Sequence, residues 1–445
     1  MKRKMHLAFD MSWTHLEGRW RTPGSWTGTT FPDMRIYQEV AQIAERGCID
    51  MLFFGDGNGI PSTWRGSPDE AVRWGIGWPR HDMSPYISAI SQTTRHVGFG
   101  LTYSTTFMHP FYVARLLNAL DHVTNGRIGF NVITSSRRAD AANYGFDELM
   151  EHGQRYERLE EFIDVCKALW ASVDPDALIW DRETGQVADP SKVRAINHRG
   201  KFFNVKGPLA SVPSPQRRPV IIQAGASGRG IEASAQVADH VFAASPGLAR
   251  QVQHRKELDA ALVAKGRDPS KVGMFWDVVL LVEETEAEAL RRREQMLTAL
   301  PFEAVGAFMS HQVGYDLSRL PDKFTVSEIN AEITASNASP VNFLNVARGL
   351  PKDDLITRED FYAHAMRGGT GYDHTVAGSA RQVADYLEEV FEATGENGGF
   401  MCAHPQATPR DFLNVVDFLI PELRRRGRFR TEYRGRTLAE NLSDD

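Results

Sequence analysis

The residues of this chain that could do chemistry fall in a few short stretches, far apart in sequence. Asp56 closes the run Met51–Asp56 (MLFFGD), so a carboxylate stands at the end of an apolar, strand-like segment. There it can accept hydrogen bonds from a ligand, or simply cap a turn. The segment 223–230 (QAGASGRG) joins a strand-like run to a helical one. Its small residues let backbone N–H groups approach an anion, Ser227 adds a hydroxyl and Arg229 a charge. It is not G-x-G-x-x-G, and an ordinary left-handed turn would use the same residues. His152 and Tyr156 lie four apart and share one helix face. They suit a common ligand, or a helix start and a core tyrosine. Two further apolar runs end in hydroxyl and amide groups, at Thr102–Thr106 and Asn131–Ser135. The zinc-protease His-Glu-x-x-His, the P-loop and the G-x-S-x-G elbow are all missing. Cys48, Cys166 and Cys402 are widely spaced, with no C-x-x-C, which argues against a disulfide framework or a metal-ligand cluster.

Patterning shows how such scattered residues can meet. Short β-rich runs begin at Met5, Ile49, Val97, Arg127, Pro219, His240, Val272 and Gly399, and segments of helical period follow them. That alternation signals a parallel sheet wrapped by helices. Eight strands, with no Gly-rich turn after the first, predict an α/β fold of the closed (β/α)8 TIM-barrel type rather than a doubly wound sheet. A single domain over 1–445 is expected, interrupted at about 57–83, 172–216 and 300–376. The second interruption is polar and should contain a hairpin before Pro213 and Pro215. Insertions of this length suit lids and subunit contacts. The tail 424–445, with seven arginines between Arg424 and Arg436, is expected to be solvated or to touch another subunit. Polar groups at the C-terminal strand ends of such a barrel face its active site. That rule gathers Asp56, Thr102, Asn131, 225–227, Ser245 and His404 at one rim.

With 42% hydrophobic residues over 445, the chain can bury a large core. A net charge of −6 argues against nucleic acid as the main partner. No stretch approaches ~20 apolar residues and no signal-peptide core is visible, so a cytoplasmic protein without membrane association is expected.

The ordered motifs FFGD (53–56), 101–135, QAGASGRG (223–230), HQVGYDLS (311–318) and 417–438 resemble the bacterial luciferase-like superfamily. The resemblance spans nearly the whole chain and points to the two-component FMN-dependent monooxygenase branch, with nitrilotriacetate monooxygenase, pristinamycin IIA synthase and dibenzothiophene sulfone monooxygenase. It implies FMN contacts at Asp56, Thr102, His152, Tyr156 and Ser227, with Asn131 as a further candidate beside the ring. It also implies reduced FMN supplied by a separate NAD(P)H-dependent flavin reductase, O2 as co-substrate, and a homodimer or homotetramer. The expected substrate is a small organosulfur, heterocyclic or amine compound, with C–S or C–N cleavage in view. Two alternatives share the barrel: an F420-dependent dehydrogenase or reductase, and a non-catalytic flavin-binding protein. His15, after the first strand, and His311, in the segment resembling the family's lid, are the acid/base candidates, since an imidazole titrating near pH 7 suits proton delivery. Loop packing for His15 and a lid anchor for His311 are the competing roles. Phe9, Trp13, Trp20, Trp26, Trp64, Trp74 and Trp78 are expected at the mouth, suiting an aromatic substrate. Arg19, Arg21, Arg65, Arg73 and Arg80 lie among them and would suit a carboxylated one.

Overall fold

The computed structural model describes residues 2–12, 33–135, 137–225, 228–245, 247–297, 301–336, 338–368, 375–404 and 408–443. Eight parallel strands close into a barrel: β1 His6–Asp10, β2 Met51–Phe54, β3 Gly98–Ser104, β4 Ile128–Ile133, β5 Val220–Ala224, β6 His240–Ala243, β7 Gly273–Glu283 and β8 Gly398–Ala403. Each pairs with its sequence neighbour, β8 returns to β1, and β6–β7 completes the ring. The strands are buried on both faces, as their near-continuous apolar runs require.

Alternation along each strand sorts side chains between two cores. Leu7 and Phe9 of β1 pack outward against the helices, in a cluster with Phe412, Val415 and Leu419. Ala8 packs inward with Met51, Phe53, Ile222, Phe275 and Met401. Small inward residues keep the barrel narrow. A Cβ on Gly399 would collide with the carbonyl of His6, so only glycine lets β8 lie this close to β1. Helices start and stop on local signals. Pro110–Thr124 has proline at its first position and Asn125 in the left-handed region at its end, with φ 55°. His152–Trp170 is capped by Glu151, which accepts from the Gln154 N–H at 2.9 Å.

The first and third insertions build one cap. Helices Phe302–Val313, Val326–Ala335 and Arg358–Gly368 share a separate core with Trp64, Phe343 and Phe361. Trp64 packs edge-on against Phe302 at 5.7 Å, which welds two segments some 240 residues apart. Leu281 in β7 belongs to the same core and seats the cap at the C-terminal end of that strand. The second insertion holds the expected hairpin, His198–Arg199 against Asn204–Val205. One strand was not foreseen: Thr375–Ser379 runs parallel to Val279–Glu283 of β7.

The C-terminal segment departs from expectation. Arg428 and Arg430 are 2% and 7% exposed, so they belong to the barrel base rather than to a solvated tail. Arg428 meets Glu388, Glu392 and Glu396. Arg430 donates to Asp50 at 2.5 Å and to the Asn441 carbonyl at 2.9 Å. Helix Leu438–Leu442 then plugs the barrel, its Leu438 packed with the interior residues. Arginine charge reads as surface in sequence, but each of these guanidiniums finds a carboxylate from another part of the chain.

Candidate active site

A cavity of about 510 Å³ opens at the C-terminal ends of the strands. Strand parity builds its floor. Asp10, Phe53, Thr102, Asn131, Phe242 and Asp277 all lie on its wall, each an inward position near a strand's upper half. Phe53 and Phe242 pave the apolar part, with ring centroids 5.6 Å apart. The register pairs Thr102 directly with Asn131, whose Nδ2 donates to Thr102 Oγ1 at 2.9 Å. The Asn131 Oδ1 is buried without a partner.

One side wall is the start of helix His152–Trp170. His152 and Tyr156 share a face there, with ring centroids 5.1 Å apart in an edge-on arrangement, and both line the cavity. Arg155 sits between them in the sequence. It is 7% exposed, and one guanidinium N–H donates to the Ser135 carbonyl. Its Nε is buried without a partner, and no carboxylate pairs with it among the described residues. Burial pulls its pKa down.

Asp56 also lines the cavity; its Oδ1 accepts from the Gly57 N–H at 2.8 Å and lies 4.0 Å from Arg80 Nη1. Burial raises its pKa and Arg80 opposes the rise. Arg80, Arg137 and Asp140 line the cavity too.

The 223–230 segment closes the far end. Gly225 lies so near Gly230 that a Cβ would come within 2.8 Å of the Gly230 carbonyl carbon, which explains the glycine pair. Arg229 does not face a ligand as its sequence suggested. It forks onto Glu160 at 2.8 and 2.9 Å and stacks over Tyr156, tying the turn to the helix. Behind it, His254 is fully buried. Its Nε2 donates to the Gly225 carbonyl at 3.2 Å, so Nδ1 accepts from Ser245 Oγ at 2.9 Å. Ser245, read as a rim group, thus braces the turn.

Five expected residues, Asp56, Thr102, Asn131, His152 and Tyr156, therefore surround one cavity. Ser227 and His15 lie outside the described residues, as do Trp13, Trp20, Trp26, Arg19 and Arg21. His311 lies in the cap helix Phe302–Val313, but its expected titration near pH 7 does not hold. Burial, then Arg137 and Arg80, push its pKa down to about 3, leaving a neutral imidazole. Phe9 faces the outer core and Trp64 the cap core, so neither stands at the mouth. His404 is buried against Phe9 and Phe412, on the outer-core side of β8. Asp10, Asp277, Arg137 and Arg155 were not singled out from sequence. Asp277 had a visible signal, as a lone charge inside the apolar strand β7, and Arg155 sat within the His152–Tyr156 pair already noted.

Residues 14–397 match the luciferase-like monooxygenase family. The chain belongs to that family. This luciferase-like monooxygenase is 34% identical to dibenzothiophene-sulfone monooxygenase of Rhodococcus erythropolis (strain XP) over 99% of its own length and 97% of the relative's. It is similar to the solved long-chain alkane monooxygenase LadA, with TM-score 0.87, 32% identity, and 99% and 96% of the two chains covered. It is also similar to a riboflavin lyase solved with modified FMN and riboflavin, with TM-score 0.86, 26% identity, and 99% and 96% covered. Among the described residues of this monooxygenase no helix is long and apolar enough to cross a membrane.

Proposed function

We propose that this monooxygenase takes reduced FMN from a separate NAD(P)H-dependent flavin reductase and, with O2, oxygenates a small organosulfur, heterocyclic or amine compound. The observation that carries the reading is the pair of buried, unpartnered atoms at the cavity, Asn131 Oδ1 and Arg155 Nε. Leaving a buried polar group unsatisfied costs about 1–3 kcal/mol, so this wall suits a ligand that donates at the floor and accepts beside the helix. FMN offers both, an N–H on its ring edge and a phosphate at the other end. Arg155 and Tyr156, beside the Gly228–Gly230 turn, would hold the phosphate, with Ser227 as a further donor. Thr102 and Asn131 would hold the ring edge, with Asp56 and His152 on either side. The relative solved with modified FMN supports the same choice of cofactor.

The bound flavin supplies the electrons and the activation of O2 that no side chain can provide. The chain's part is placement and water exclusion. Phe53 and Phe242 present an apolar floor from which water is excluded. Burial raises the carboxyl pKa of Asp56 on this wall, and we assign it the role of proton carrier there. His311, kept neutral, offers a hydrogen bond without adding charge.

Anaerobic titration with reduced FMN, then mixing with 18O2 and candidate substrates, tests the reading. Saturable binding and one 18O atom in the product are expected. Tight binding of F420 with hydride transfer and no oxygen uptake would replace it with the dehydrogenase. Flavin that binds but reoxidises identically with every substrate would leave a binding protein.

A further inference from the structure

We propose that Arg80 and Arg137 form an anion subsite on the cap side of the cavity, and that the substrate places a carboxylate there. The word substrate rests on the oxygenase reading above; the subsite itself rests on geometry.

Both arginines line the cavity, one from the end of the first insertion and one from just after β4. They share one side of Gly57. A Cβ on that glycine would collide with Arg137 Nη1 and lie 3.5 Å from Arg80 Nη1. Two like charges so close, and largely removed from water, need an acceptor. Asp140 and Asp56 offset part of the charge, but among the described residues neither hydrogen-bonds a guanidinium of the pair. The Arg137 guanidinium makes no hydrogen bond or ion pair among the described residues, and the Arg80 guanidinium reaches only Asp56, at 4.0 Å.

The nearby carboxylates are engaged elsewhere. Asp56 accepts from the Gly57 N–H, and Asp140 from the Asn58 N–H at 3.0 Å and the Gly59 N–H. Asp82 accepts from the Ser84 N–H at 2.8 Å and the Tyr103 hydroxyl at 3.1 Å. These carboxylates organise the loops around them, and none of the three hydrogen-bonds either guanidinium among the described residues. A fork of this kind matches a carboxylate in two parallel hydrogen bonds. His311 stands near the same pair and stays neutral, so it adds a hydrogen-bonding ring but no third charge. The phosphate of FMN has its own cation in Arg155, on the helix after β4 beside Tyr156. Arg80 and Arg137 are therefore left for the other ligand of the cavity.

The test compares acids with their neutral amides. Full-length protein, with and without FMN, is titrated calorimetrically with (methylthio)acetate, thiodiacetate and nitrilotriacetate, and with the corresponding amides. At least one acid should bind ten times or more tighter than its amide. Arg137→Met and Arg80→Met should each erase that preference, Arg137→Lys should keep part of it, and FMN affinity, read by fluorescence quenching, should stay within twofold. Equal binding of acid and amide, or no acid binding at millimolar concentration, overturns the proposal. So does a tenfold loss of FMN affinity in Arg137→Met, which would assign these arginines to the cofactor. Failure of the wild-type chain to bind FMN would sink the cofactor reading alone, because the acid–amide comparison also runs on the flavin-free protein.

Discussion

Asn131 and Thr102 face each other in register across the β3–β4 seam, joined by one 2.9 Å hydrogen bond that occupies the amide donor and leaves the amide acceptor open. A neutral hydrogen bond to a ligand contributes about 0.5–1.5 kcal/mol, so Asn131→Ala should weaken FMN binding by about two- to twelvefold. Fluorescence titration reads the affinity, and circular dichroism should show the barrel still folded. Unchanged affinity would remove Asn131 from the flavin site.

Arg155 separates the two ends of the cofactor. Hydrogen bonds to charged groups contribute about 1.5–3 kcal/mol, so Arg155→Met should weaken FMN binding by roughly ten- to a hundredfold. Riboflavin, which lacks the phosphate, should bind the variant and the wild type alike. Parallel loss of both ligands would mean that Arg155 acts through the fold.

His311 carries a prediction in pH. Its folded pKa, about 3, lies below the ordinary value near 6.5. A depressed histidine favours folding in full above ~6.5, and that contribution is lost as pH falls from there through about 3. His311→Gln should flatten the stability curve across this window, by at most ~1.4 kcal/mol per pH unit for one proton. The pH–rate profile of the wild type should show no His311 ionisation between 5.5 and 8, and NMR of labelled imidazoles should show a neutral ring. His311→Gln should slow oxygenation while sparing FMN binding; normal turnover would leave it as a packing residue of the cap.

The barrel base predicts an acid-labile lock. Asp50 is 1% exposed and bonded to Arg430 and to His6 at 3.0 Å. Burial alone would raise its pKa, but Arg430 and His6 together hold it below the usual carboxylate range. Its stabilisation is therefore present above ~3.9 and is lost as pH falls through the lower folded value. Asp50→Ala leaves a buried guanidinium unpaired and should destabilise the protein by about 3–5 kcal/mol, measured by urea unfolding at pH 7. Flavin affinity should change little, because this lock lies at the opposite end of the barrel.

Much of the barrel was legible because the strands are short, β-rich and evenly interleaved with helices. Gly98–Ser104 and Ile128–Ile133 fall inside their expected runs, and Pro110–Thr124 begins and ends where proline and asparagine say it should. The strand Thr375–Ser379 was hidden, because TVAGS is too short and too weakly apolar to signal a strand without its partner β7. Arg428 and Arg430 misled for the same reason. Their burial depends on Glu388 and Asp50, which only folding brings near.

By itself the sequence determined the alternation that closes the barrel, and hence which strand ends carry polar groups, because backbone periodicity and turn chemistry are local. Only the tertiary structure decided which of those groups are spent on the chain itself. Arg229 is neutralised by Glu160, Ser245 is bonded to His254, and the Asp140 carboxylate accepts from the Asn58 N–H, while Asn131 and Arg155 keep hydrogen-bonding capacity to spare. That distinction depends on partners distant in sequence, and on burial, which turns a surface charge into one that demands a ligand.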